Sequence, residues 1–160
     1  MRKASFLLIG MFCIAGPVQA ALTTPTESGW RVFADERYGT RVQYPGWFSI
    51  SDGRPELGPG KRLVTPDRRA EIEIYSLPNS AGYTPSSYLA AKMKISPATV
   101  QYRRVAPRFF ALSAERRGKI YYTRCNFSQE TINCVYLGYP ASEKRAWDDI
   151  VTRVSLSLRP

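Results

Sequence analysis

The sequence predicts an α+β domain, a mostly antiparallel sheet covered by two or more helices. Three observations predict it. From Trp30 onward, short runs alternate apolar with polar residues and are separated by Gly, Pro and Asp turn signals. The last four such runs are joined by connections of hairpin length. Two further stretches carry helix-start signals followed by apolar residues on one helical face.

Residues 1–20, MRKASFLLIGMFCIAGPVQA, have the plan of a secretory signal peptide. Arg2 and Lys3 precede an apolar run from Ala4 to Gly16, and Val18 and Ala20 suit a cut after Ala20. The run falls short of the ~20 apolar residues that span a bilayer, so no stable membrane insertion is expected. Cleavage takes the 160-residue chain to 140 residues and, by removing Arg2, Lys3 and no acid, its formal charge from +10 to +8. Residues 21–29, ALTTPTESG, are expected to be a flexible leader, and residues 30–160 a single domain.

Trp30 to Ala34 and Thr40 to Tyr44 are the first expected strands, with a turn at Asp35 to Gly39 and a stop at Pro45-Gly46. Ser51 to Gly60 holds three Gly and two Pro and is expected to be a loop. Lys61 to Thr65 and Ala70 to Ser76 form strands around the turn Pro66-Asp67-Arg68-Arg69. In the second of these, Glu71 and Glu73 alternate with Ile72 and Ile74, which predicts a wet face and a buried one. Thr84 is an N-cap with Pro85 in the favoured first position of a helix running to about Lys94. Val100 to Val105, Phe109 to Arg116, Lys119 to Phe127 and Ile132 to Tyr139 follow as four strands. Ser142 then caps a final helix to about Leu156, with Trp147, Ile150, Val151 and Val154 on one face.

Tyr38-Gly39, Val42, Tyr44-Pro45 and Trp47-Phe48 resemble the opening of the Mog/PsbP-like domains. The strand pair, the helix after Thr84, the strand meander and the helix after Tyr139-Pro140 follow in the same order. The chain also resembles small exported bacterial proteins, through Ser113, Gly118 and Tyr122. This likeness spans about residues 30 to 158 and implies an α/β/α sandwich. Its motifs concern folding, so it carries over no catalytic residue and no cofactor.

The absence of His excludes Ser-His-Asp triads, Cys-His pairs and HExxH zinc sites. Cys125 and Cys134 lie equidistant from the turn around Gln129-Glu130, so a hairpin in that register sets them face to face, with Phe127 opposite Ile132 and Thr123 opposite Tyr136. In an exported chain such a pair is a structural disulfide. The spacing is not CxxC, which argues against a redox or metal site.

Between Gln101 and Phe127 seven bases stand against one acid, Glu115. The expected anion-binding set is Arg103, Arg104, Arg108, Arg116, Arg117 and Lys119; the bland alternative is a set of solvated hairpin tips. Trp47, after Pro45-Gly46, is the aromatic expected to be exposed for binding. Glu71 with Glu73, and Asp148 with Asp149, are carboxylate pairs that could serve acid–base work, although a wet strand face and ordinary helix ion pairs account for them as well. The leading expectation is therefore a non-enzymatic accessory or binding module, exported to the periplasm or secreted, without cofactor or metal. Its expected partner is an anionic envelope component or acidic protein rather than nucleic acid. The alternative is a small periplasmic hydrolase or lyase using carboxylates with Arg and Tyr.

Overall fold

The computed structural model describes residues 29–159. The expected signal peptide, and the leader up to residue 28, lie outside the described residues. Among the described residues there are nine strands: β1 Trp30–Asp35, β2 Thr40–Pro45, β3 Ser49–Ile50, β4 Gly60–Val64, β5 Glu71–Pro78, β6 Val100–Ala106, β7 Phe109–Arg116, β8 Lys119–Phe127 and β9 Thr131–Pro140. Two helices accompany them, α1 Pro85–Lys92 and α2 Lys144–Ser157.

β1 and β2 form a hairpin of their own, while the other seven strands make one antiparallel sheet in the order β3-β4-β5-β9-β8-β7-β6. Strand alternation separates the two faces. Ile120 of β8 and Val135, Leu137 and Tyr139 of β9 join Ile72 and Ile74 under α2, around Trp147, Val154 and Leu158. Cys125, Phe127, Ile132, Cys134 and Tyr75 point the other way, to Tyr88 and Leu89 of α1. One helix therefore lies on each face.

Local chemistry sets most element ends. The β7–β8 hairpin turns on Arg117 (φ 52°) and Gly118 (φ 73°), the paired left-handed residues of a two-residue turn matched to strand twist. Gly60 can hold no side chain, since a Cβ there would lie 1.9 Å from the Ile74 carbonyl oxygen. Thr84 caps α1 by accepting from the Ser87 amide, which sits at the end of a capping box.

The second helix starts differently from expectation. Ala141–Glu143 is a 3₁₀ turn and Glu143, not Ser142, is the capping residue, without a side-chain cap bond. The two-residue β3 and a 3₁₀ turn at Pro97–Thr99 are too short to leave a periodic signal. The β1–β2 hairpin docks through a buried hydroxyl–amide chain, with Thr40 Oγ1 2.5 Å from Ser76 Oγ and donating to Asn133 Oδ1 at 2.8 Å. The Gln43 amide also donates to Ser157 Oγ of α2 at 2.8 Å.

Candidate functional site

α2 is narrower than the sheet that it covers. Its main strand contacts are with β2, β9 and β8, which leaves a groove of about 540 Å³ between its outer side and the β6–β7–β8 surface. The pairing registers show how this groove is built. Across the strands, Arg104 stands beside Ala111 and Ala111 beside Arg124. In the next row, Tyr102, Ser113 and Tyr122 stand side by side. Small residues of β7 thus floor a trough whose walls are one Arg and one Tyr from each neighbouring strand. Two interstrand steps put the Arg104 and Arg124 backbones about 10 Å apart.

Both guanidinium groups lean over the Phe109 ring, at 5.4 Å for Arg104 and 4.3 Å for Arg124. Arg124 Nε donates to Asn126 Oδ1 at 3.1 Å, and Asn126 Nδ2 in turn donates to the Leu158 carbonyl. Among the described residues, neither Arg104 nor Arg124 forms an ion pair. Burial pulls the Arg124 guanidinium below its ordinary range; Tyr122 offsets this in part, while the charges of Arg159 and Arg104 pull it further. An anion between the two arginines would relieve that repulsion. The Tyr122 hydroxyl lies 2.6 Å from Ser155 Oγ of α2, and burial raises the phenol above its ordinary range. Asp148 lies on the far wall, where it pairs with Lys144 at 3.1 Å.

The six bases singled out from sequence do not share one surface. Arg104 faces the groove, whereas Arg103 points to the opposite face, beside Leu89, Met93 and Lys94. Arg108 lies in the β6–β7 turn, and Arg116, Arg117 and Lys119 surround the β7–β8 turn. The length of β7, roughly 24 Å at ~3.4 Å per residue, separates those two turns. Arg124, Phe109 and Ala111 were absent from the sequence-based set. The hairpin registers carry the missing signal, because Arg104, Ala111 and Arg124 fall in one row once both turns are placed.

Trp47 is half-buried, 4.6 Å from the Phe48 ring and edge-on to Trp147 at 5.9 Å. Cys125 and Cys134 are paired in register and joined by a disulfide, both inaccessible to solvent. The expected facing pairs Phe127–Ile132 and Thr123–Tyr136 are also present.

Glu71 and Glu73 correct another expectation. Their side of β5 is not a solvated face but the wall of a 310 Å³ cleft closed by Arg54, Glu56 and Leu57 of the Gly/Pro-rich loop. Arg62 donates to Glu71 through both Nε and Nη2 and lies 3.6 Å from Glu73. Burial, then the neighbouring Glu71 charge, raises the Glu73 carboxyl above its usual range, and Arg62 offsets this only in part. Because its folded pKa is raised, Glu73 favours the fold fully below the ordinary carboxylate range. That contribution is lost as pH rises through the raised value. Glu73→Gln should therefore match the wild type in thermal stability near pH 4 and equal or exceed it near pH 7. A clear loss of Tm at neutral pH would mean that the Arg62 attraction outweighs burial. Among the described residues, no cluster of His, Cys, Asp and Glu could hold a metal ion.

The antiparallel sheet with one helix on each face defines a PsbP-like α/β/α sandwich. The chain is similar to the solution structure of cyanobacterial PsbP (CyanoP) from Synechocystis sp. PCC 6803. The TM-score is 0.56 at 9% identity, over 90% of this chain and 99% of that one. At this identity the likeness concerns the fold. No family model matches the chain, and no curated protein matches it in sequence.

Proposed function

We propose that the protein is an exported, non-enzymatic binding module of the bacterial cell envelope, holding an anionic partner in the groove beside α2. One observation carries this reading. Arg104 and Arg124 flank the small Ala111 and share one aromatic ring, and neither has a carboxylate partner among the described residues. A guanidinium pair of this kind suits carboxylate, sulfate or phosphate groups. Support for export comes from the leader-like residues 1–20 and from the buried Cys125–Cys134 disulfide. Among the described residues no helix is long and apolar enough to cross a membrane.

The test is salt-dependent retention of the exported chain on a carboxylated or sulfated matrix. R104E/R124E should reduce retention about tenfold or more, since two charge-assisted contacts are lost. R116E/R117E removes the same charge from the far end of the sheet and should reduce it much less. Equal losses in the two variants would show that net charge alone governs retention.

A second reading, a small hydrolase or lyase, is favoured by the half-buried Glu73 beside Arg62 in its own cleft. Turnover of a chromogenic glycoside or ester by the wild type and not by Glu73→Gln would establish it. Equal rates in both chains would remove it.

A further inference from the structure

β6 ends the seven-stranded sheet and pairs with β7 alone. Its outer row of backbone amides and carbonyls therefore faces no strand among the described residues. The opposite edge is β3, only two residues long, too short to receive a partner. On β6 the register shift lies between Val100 and Tyr102, so Tyr102 to Ala106 continue unbroken against Ser113 to Phe109.

The centre of this edge is Tyr102-Arg103-Arg104-Val105, an apolar–base–base–apolar sequence. Tyr102 and Val105 are 46% and 37% exposed, two of the large hydrophobic side chains that the fold leaves uncovered. Tyr102 and Arg104 project to the groove beside α2, while Arg103 projects to the α1 face. A second copy is a poor occupant. Antiparallel pairing of two such edges about their centres sets arginine near arginine on both faces. An acidic strand meets the opposite condition, because two consecutive acids on one strand point to opposite faces. One would meet Arg104, with Arg124 behind it in the same row, and the other would meet Arg103.

We propose that the open edge of β6 receives an extended peptide of a partner protein as an added antiparallel strand, with the core pattern apolar–acid–acid–apolar. The two acids stand opposite Arg104 and Arg103, and the apolar residues stand opposite Val105 and Tyr102. Backbone bonds supply affinity and the four side chains supply register, the usual division in strand addition. The proposal rests on the anion-binding reading above and specifies the anion as paired carboxylates on a peptide strand.

The experiment titrates fluorescent decapeptides against the exported full chain by anisotropy. One carries the core Val-Glu-Glu-Tyr, and a second has the same composition with the core scrambled to Glu-Val-Tyr-Glu. Two more carry the original core N-methylated on one or the other alternate set of amides. Only one set faces β6, so one methylated form should bind about tenfold more weakly and the other should keep its affinity. The scrambled core should also bind more weakly, and R103E/R104E should prefer Val-Lys-Lys-Tyr. Equal binding by all four peptides would overturn strand addition and leave the anionic groove standing. So would retention on the sulfated matrix with no peptide binding. Absence of both peptide and matrix binding would remove the anionic reading as well.

Discussion

Replacing Trp147 with Ala should cost about 3–5 kcal/mol of folding stability. The indole is 6% exposed and occupies the junction of three elements. It stacks on Tyr139 of β9 at 5.2 Å and meets Trp47 and Phe48, just after β2, edge-on at 5.9 and 6.1 Å. Its Nε1 donates to Glu143 Oε2 at 3.3 Å, and Glu143 pairs with Arg69 of the β4–β5 turn at 2.6 Å. Truncation removes the aromatic contacts and leaves a cavity that three elements cannot close without moving. Domains of this size retain about 5–15 kcal/mol, so the variant should sit near the edge of folding. Urea unfolding, followed by far-ultraviolet circular dichroism, measures the loss. A change under about 1 kcal/mol would mean that α2 is held mainly by Val154 and Leu158.

Removing the disulfide as C125A/C134A should cost about 2–4 kcal/mol. The cysteines are nine residues apart, and loop entropy for so short a span is roughly 2.6 kcal/mol. The β8–β9 hairpin lowers that figure, since its residues are near one another in the denatured ensemble. Packing raises it again. Both sulfurs lie among Tyr75, Tyr88, Phe110, Phe127 and Ile132, and the alanine pair leaves a void there. Burial also fixes how reduction proceeds. Dithiothreitol should leave the native disulfide intact for as long as the fold persists and reduce it readily in urea. Rapid reduction under native conditions would show that β8 and β9 separate locally before the domain unfolds.

The expected and observed strands agree best where local rules act without competition. β7 and β8 have the predicted ends, because Pro107 and the Arg117-Gly118 turn leave the chain no way to continue. The cysteine register follows from the same hairpin counting. Ser142 fails as a cap because β9 runs on through Pro140, one residue past its expected end, so the chain enters α2 through a 3₁₀ turn. Glu71 and Glu73 have the alternation of a half-wet strand. Yet β5 lies between β4 and β9, and the loop before β4 folds over its outer side. Period-two spacing records which side chains share a face. It does not record what later covers that face.

The candidate site divides along the same line. Net charge, the excess of arginines after Gln101 and their positions on strands were all legible, because they are properties of residues and short segments. So were the sandwich class, the two helices and the disulfide. Counting both hairpins puts Arg104 and Arg124 in one row, but tertiary structure alone decided that this row would stay open. It did so through the position of α2, whose Trp147–Val154 stripe docks over β9 and β8 and stops short of β7 and β6. Where a helix settles on a sheet depends on packing between residues far apart in the chain. That choice left one stretch of sheet open, with two arginines on its walls that have no ion-pair partner among the described residues and an uncovered strand at its edge.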